Sequence, residues 1–189
     1  MAIASRSLES SQAAADAIGR HATGFACDTG EAASVEALHA DVCGLFGSID
    51  ILILNSGGPP PGKAQGVASS QWRSSFESMF VNLVRMADLA LPGMIERRFG
   101  RIISVVSSGI IQPIPNLAVS NAIRPALIGW GKTLAGEVAA HGITVNAVAP
   151  GRIATDRLPF RPGAMANLLN LPPPPCFWPA RQPPLSQAR

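Results

Sequence analysis

Residues 49–58 read IDILILNSGG. Ile49 to Leu54 is a continuous, largely β-branched run of the kind a parallel strand shows when both of its faces are covered. It stops abruptly at Asn55-Ser56-Gly57-Gly58 and a proline cluster, Pro59 to Pro61. The same alternation continues on either side. Upstream, Met1 to Ser5 forms a short apolar run, and Ser7 is placed to cap a helix carrying Leu8 to Ile18. A second run, residues 22–27, is followed by Asp28 and Glu31 at capping-box spacing. They open a helix on which Val35, Leu38, Val42 and Leu45 recur at helical period. Downstream, an amphipathic helix is predicted over Ser70 to Arg97, with Trp72, Phe76, Met79, Phe80, Leu83, Ala87, Leu91 and Met94 on one broad face. Arg101 to Val106 reads as a buried strand delivering Ser107-Ser108-Gly109 at its carboxyl end. Ile123, Leu127, Trp130, Leu134 and Val138 then stripe a helix that ends near His141-Gly142, and Ile143 to Val148 is the last strand. Strands alternating with helices over this length predict an α/β fold with a doubly wound parallel sheet, whose ligands bind outside the carboxyl ends of the strands.

Composition narrows the function classes. The chain has 189 residues, 47% hydrophobic and 14% charged, enough for one sizeable core. Its formal charge of +3 is carried by the carboxyl-terminal segment. Residues 157–189 hold four arginines and no acid, leaving 11 basic against 12 acidic groups in the body. The body therefore lacks the basic stripe that nucleic-acid binding needs. No run approaches a membrane span, and no secretory leader is recognisable, so a cytoplasmic protein is expected. Cys27, Cys43 and Cys176 form no CxxC pattern, and His21, His39 and His141 have no metal spacing. Nine of the 17 prolines follow residue 157. They predict a proline- and arginine-rich, disordered segment over 158–189 behind a domain over 1–157, with a polyproline ligand around Pro172 to Pro175 as the functional alternative.

Several segments, in order from residue 1 to about 157, together resemble the short-chain dehydrogenase/reductase family, close to its 3-oxoacyl-acyl-carrier-protein reductases. Asn55-Ser56-Gly57-Gly58 resembles the family's NNAG turn, and Asn82, in a VNL, its active-site asparagine segment. RIISVVSS puts Ser107 where the catalytic serine falls. GITVNAVAPGRIATD resembles the segment whose Pro150-Gly151 turn holds the nicotinamide, with Ile153 and Thr155 against the carboxamide and pyrophosphate. Arg6 resembles the arginine that reads the 2′-phosphate of NADP, and Asp28 the acid near the adenine amine. An arginine fork there suits a phosphate dianion. The resemblance thus implies NADP(H), hydride transfer to a small carbonyl substrate such as a 3-oxoacyl thioester or a ketone, and a homodimer or homotetramer built through the two long helices.

The departures matter as much. Thirteen residues after Ser107, where the family carries the tyrosine of YxxxK, stands Ser120, and four further on stands Arg124 in place of lysine. The chain has no tyrosine at all. A serine hydroxyl is a far weaker acid than a phenol of pKa ~10, and arginine does not relay a proton as lysine does. The SNxxR pattern is similar to a recurring branch of the superfamily. The TGxxxGxG turn, its strand and its helix are absent, and in the strand order 3-2-1-4-5-6 that strand is the central one. Its neighbours are Met1–Ser5 and Ile49–Leu54. They are expected either to pair directly or to leave two apolar edges unpaired, with low stability. A non-catalytic remnant that associates with relatives is the alternative function. The abrupt change after Arg157 is what a frameshift would produce, with a lineage-specific extension as the other reading.

Overall fold

In a computed structural model of the chain, which describes residues 1–151, five strands and their helices follow in the predicted order. They are β1 (Ala2–Ser5), α1 (Leu8–Ile18), β2 (Thr23–Ala26), α2 (Ala32–Phe46), β3 (Ile51–Leu54), α3 (Ser69–Phe76), α4 (Asn82–Glu96), β4 (Gly100–Val105), α5 (Ala118–Val138) and β5 (Ile143–Val148). Every strand pairing is parallel. β1 pairs with β2, and β3-β4-β5 form a separate three-stranded sheet. Of the two outcomes expected at the interrupted centre, the sheet takes the second: β1 and β3 do not pair. The expectation for the carboxyl-terminal segment, residues 158–189, and the boundary at 157 lie outside the described residues.

Local chemistry explains most boundaries. Ser7 caps α1, its hydroxyl accepting from the Ser10 amide at 3.2 Å. Gly142, at φ +71°, closes the turn from the helical end Ala139–His141 into β5; a Cβ there would stand 2.4 Å from the Arg98 carbonyl oxygen. The predicted capping box at Asp28 and Glu31 is not made. Glu31 occupies the cap position without a side-chain bond, and Asp28 accepts from the Gly30 amide at 2.8 Å, closing a tight turn instead.

The predicted single helix over 70–97 is interrupted. A π-turn over Glu77–Val81 separates α3 from α4 and shifts the helical phase, so the broad face does not stay in one line. Phe76 is consequently exposed and stacks on Phe80 with ring centroids 4.9 Å apart, while Met79 packs with Val119 and Ile123. Against the expectation that no run approaches a membrane span, Ser69–Glu96 is long and apolar enough to cross one by length and composition. Its buried Leu83, Met86, Ala87, Ala90 and Met94 join the sheet's core, the pattern of an interior helix.

The core is a single layer on one face of β3-β4-β5. Register places Leu52 beside Ile102 and Ile102 beside Val145, all three on the face covered by α4 and α5. Ile51 and Ile53 point to the other face and remain 60% and 53% exposed. The expectation that this strand is covered on both faces is thereby corrected: its second face has no helix among the described residues. On the smaller sheet, Gly24 faces α1 and Cys27, three positions on, faces the main core, so α1 and α2 lie on opposite faces.

Gly24 is fixed by close packing, since a Cβ there would stand 2.4 Å from the Gln12 amide nitrogen. Neither strand nor helix backbone can yield cheaply. Gly24→Ala is expected to lower stability by about 1–3 kcal/mol, read as a fall in the urea midpoint at unchanged slope.

Candidate active site

The carboxyl ends of the strands gather the predicted residues into two groups. On the two-stranded sheet, Arg6 and Asp28 follow β1 and β2, held adjacent by the Cys27 amide donating to the Ser5 carbonyl at 2.8 Å. Arg6 is exposed and makes no ion pair among the described residues. On the three-stranded sheet, Asn55, Ser56 and Gly57 follow β3, while Ser107 follows β4 and accepts from the Gly109 amide at 3.2 Å. The Ser108 amide donates to the Pro150 carbonyl at 3.1 Å and the Val106 amide to the Val148 carbonyl at 2.9 Å. These bonds bring Pro150 beside Ser107. Ile153 and Thr155 lie outside the described residues.

Ser120 and Arg124 sit one turn apart on α5. The Arg124 guanidinium donates through Nε to the Ser120 hydroxyl at 3.1 Å and through Nη1 to the Val105 carbonyl at 3.0 Å. The latter bond anchors it two residues before Ser107. Arg124 has no carboxylate partner among the described residues, and burial pulls its pKa down from the ordinary guanidinium range. It nevertheless keeps its charge, as guanidinium groups in proteins do. A half-buried, unneutralised cation at the mouth of the sheet favours any group that develops negative charge there. Because Ser120 accepts from that cation, its own proton stays free to be donated and is polarised toward release.

Asn82 opens α4 fully buried. Its amide donates to the Thr29 carbonyl at 2.9 Å, tying α4 to the loop after β2, and its Oδ1 has no partner among the described residues. The Ser56 and Ser104 hydroxyls are likewise buried and unpartnered. Buried polar atoms left in this way call for a bound polar group.

Two features escaped the sequence reading. Asn121, between Ser120 and Arg124, clamps the loop after Ser107, donating to the Ile114 carbonyl at 2.8 Å and accepting from its amide at 3.3 Å. Gly109 is needed there, since a Cβ would stand 2.7 Å from the Asn121 Oδ1. Beside this clamp lies an open cleft of about 430 Å³ whose lining includes Lys63, Pro113, Ile114 and Ala122. The proline loop that bounds it is held to the start of α5 by the Ala118 amide donating to the Gly62 carbonyl at 3.3 Å, and to the preceding loop by the Gly62 amide donating to the Asn116 carbonyl at 2.7 Å. The only available signal was the asparagine within SNxxR, which spacing alone does not assign.

Compared with known families, residues 1–161 match the short chain dehydrogenase family. The chain belongs to that family. It is 33% identical over 147 residues to the 3-oxoacyl-acyl-carrier-protein reductase of Escherichia coli, covering 77% of this chain and 59% of that one. It is 34% identical over 143 residues to the Vibrio cholerae protein of the same name, covering 75% and 58%. Among solved structures, an actinorhodin polyketide ketoreductase with NADPH superposes at a TM-score of 0.77 with 32% identity, over 82% of this chain and 62% of that one. A short-chain dehydrogenase of Streptomyces avermitilis superposes at 0.76 with 26% identity, over 84% and 59%. The chain thus spans just under three-fifths of the length of the curated relatives it matches. Its fold is the α/β doubly wound one, and its family is one of oxidoreductases.

The thiol of Cys27 stands just after β2, beside Asp28 and Ser34. Burial pushes it up, the Ser34 hydroxyl bond partly opposes this, and the Asp28 charge adds to the rise. A raised pKa leaves less reactive thiolate. Iodoacetamide at about pH 8 is therefore expected to modify Cys43, which is half-buried, before Cys27, with mass spectrometry of the peptides as the readout; faster labelling of Cys27 contradicts this placement.

Proposed function

We propose that this short-chain dehydrogenase is a reductase of carbonyl substrates, a 3-oxoacyl thioester or a small ketone, with NADP(H) as its cofactor, working in the cytoplasm as a homodimer or homotetramer. The observation that carries the reading is the Ser120–Arg124–Val105 hydrogen-bond chain beside Ser107 at the carboxyl end of β4.

The residues fit the cofactor in part. Arg6, an unpaired cation beside Asp28 at the ends of β1 and β2, suits the 2′-phosphate and adenine end. Asn55, Ser56, Gly57, Pro150 and Gly151 border the place of the nicotinamide, with Ile153 and Thr155 assigned to it by resemblance alone. The glycine-rich turn that cradles a pyrophosphate is not among the described residues, and the GGPPPG loop does not replace it, because prolines remove the amide donors. When bound, NADPH supplies the hydride that a carbonyl carbon receives.

The chain's own groups then act on the carbonyl oxygen. Ser107 donates a hydrogen bond to it, and Arg124 stabilises the negative charge that grows there. Ser120, polarised by Arg124, hands over its proton. Asn82, through its unpartnered Oδ1, holds a water from which that proton is replaced. Without a phenol the proton transfer is slow, because loss of a well-matched general acid costs about 10²–10⁴ in rate. The second reading, a non-catalytic member that associates with relatives, is favoured by the unpaired edges of β1 and β3.

Titration with NADPH, followed by energy transfer from Trp72 and Trp130 or by calorimetry, separates the two. Binding is expected, with Arg6→Ala weakening NADPH about tenfold, or about 1.4 kcal/mol, and leaving NADH unaffected. A folded chain that binds neither nucleotide supports the second reading. In the reductase assay, Ser120→Tyr combined with Arg124→Lys is expected to raise the rate by about 10²-fold or more; an unchanged rate removes Ser120 from the acid position.

A further inference from the structure

The cleft beside the Asn121 clamp adjoins the reacting groups and carries a charge of its own. At about 430 Å³ it has the size of a small-molecule site. Pro113 and Ile114, from the loop after Ser107, and Ala118 and Ala122, from α5, give it apolar walls, and Lys63 is the one charged residue in its lining among the described residues. Lys63 makes no ion pair among those residues. Its backbone is fixed by its neighbour Gly62, which bonds through its amide to the Asn116 carbonyl and through its carbonyl to the Ala118 amide. Asn116 is held at φ +61°, a left-handed conformation that asparagine tolerates.

Charge around the cleft has one sign. Residues 51–76 and 97–136, which supply the loops after β3 and β4 and most of α5, contain no aspartate or glutamate, while carrying Lys63 and Arg124. A cation on an apolar wall with no carboxylate nearby is complemented by an anion brought in from outside. The kind of anion follows from the donors. A phosphate is held by a cradle of several amides, but Pro59, Pro60 and Pro61 have none to offer, and the Gly62 and Ala118 amides are already engaged. A single ammonium matches the single charge of a carboxylate.

Position ties the cleft to the reaction. At about 3.6 residues per turn, Ala118 and Ala122 share one flank of α5, Ser120 and Arg124 share the opposite one, and Asn121 lies between them. A molecule whose carbonyl oxygen meets Ser107 and Ser120 crosses Asn121 to reach Lys63, a span of roughly 8 Å on a helix about 10 Å wide.

We infer that the cleft takes the carboxylate of an oxoacid, with Lys63 pairing the charge and Pro113, Ile114, Ala118 and Ala122 covering the methylene chain. The substrate class is then a ketone bearing a carboxylate about five methylenes away, the length that fits this span. The carbonyl end of the inference rests on the reductase reading, whereas the Lys63 end is tested without it.

The test is binding to the full chain in the absence of nucleotide, read from amide shifts in heteronuclear NMR, with 7-oxooctanoate and its uncharged methyl ester as probes. The acid is expected to shift the amides of Lys63, Ala64, Ile114 and Asn121 and to bind about fivefold more tightly than the ester. That advantage disappears in Lys63→Met, is kept in Lys63→Arg, and shrinks as salt is raised. Equal binding of acid and ester, an advantage that survives Lys63→Met, shifts confined to residues outside the cleft, tighter binding of inorganic phosphate, or no binding of either probe overturns the inference. NADPH oxidation with both probes at equal affinity removes the carboxylate site and leaves the reductase. Charge-selective binding without NADPH oxidation keeps the carboxylate site and removes the reductase.

Discussion

The two parts of the sheet are joined by side-chain packing and not by backbone hydrogen bonds. Fourteen buried residues form one continuous cluster, from Cys27 and Val35 at the smaller sheet, through Leu54, Leu83 and Ala87, to Leu127, Val138 and Ile143. Helices α2 and α4 form the bridge, reinforced where the buried Asn82 amide meets the Thr29 carbonyl and where Arg85 meets Glu36 at 2.7 Å. The exposed ion pair adds little on its own. Packing on one face is what keeps the carboxyl ends of all five strands along one edge, and the positions of Arg6, Asp28, Asn82 and Ser107 follow from it.

One-sided packing also sets the liabilities. A parallel sheet normally hides both faces, yet Ile51, Ile53 and Val148 are bared on the face opposite α4 and α5. An apolar strand with an open edge and an open face invites association. The chemistry of the site and the open edges are therefore linked: the edges of β1 and β3 left without a partner among the described residues flank the region from which a phosphate-binding turn departs in a doubly wound fold.

At the site, Arg124 shows how one substitution relocates a function. A flexible ammonium in its place acts as a point charge, whereas the planar guanidinium spans two acceptors, Ser120 and the Val105 carbonyl. It thereby stiffens the start of α5 and leaves a fixed positive charge. Asn121 extends this into the loop above by its two bonds to Ile114. Three residues of one helical turn and a half thus hold the wall, the hydroxyl and the charge.

Much of this was readable from residue order. The apolar runs at Ile51–Leu54, Gly100–Val105 and Ile143–Val148 announce parallel strands because, Ser104 apart, no polar residue interrupts the positions that face the helices. Ser7 and Gly142 mark ends because a hydroxyl acceptor and a left-handed φ are local requirements. The family, and with it the expected roles of Ser107, Ser120 and Arg124, is read from the resemblance of several motifs in order and not from spacing alone. What the sequence could not decide depends on contacts between distant segments: whether β1 meets β3, which face of β3 goes uncovered, the π-turn that turns Phe76 outward, the partner of Asn82 at Thr29, and the clamp of Asn121 on Ile114. The alternation of residues along a strand states that two faces exist; only the packing of helices from elsewhere in the chain decides which of them is buried.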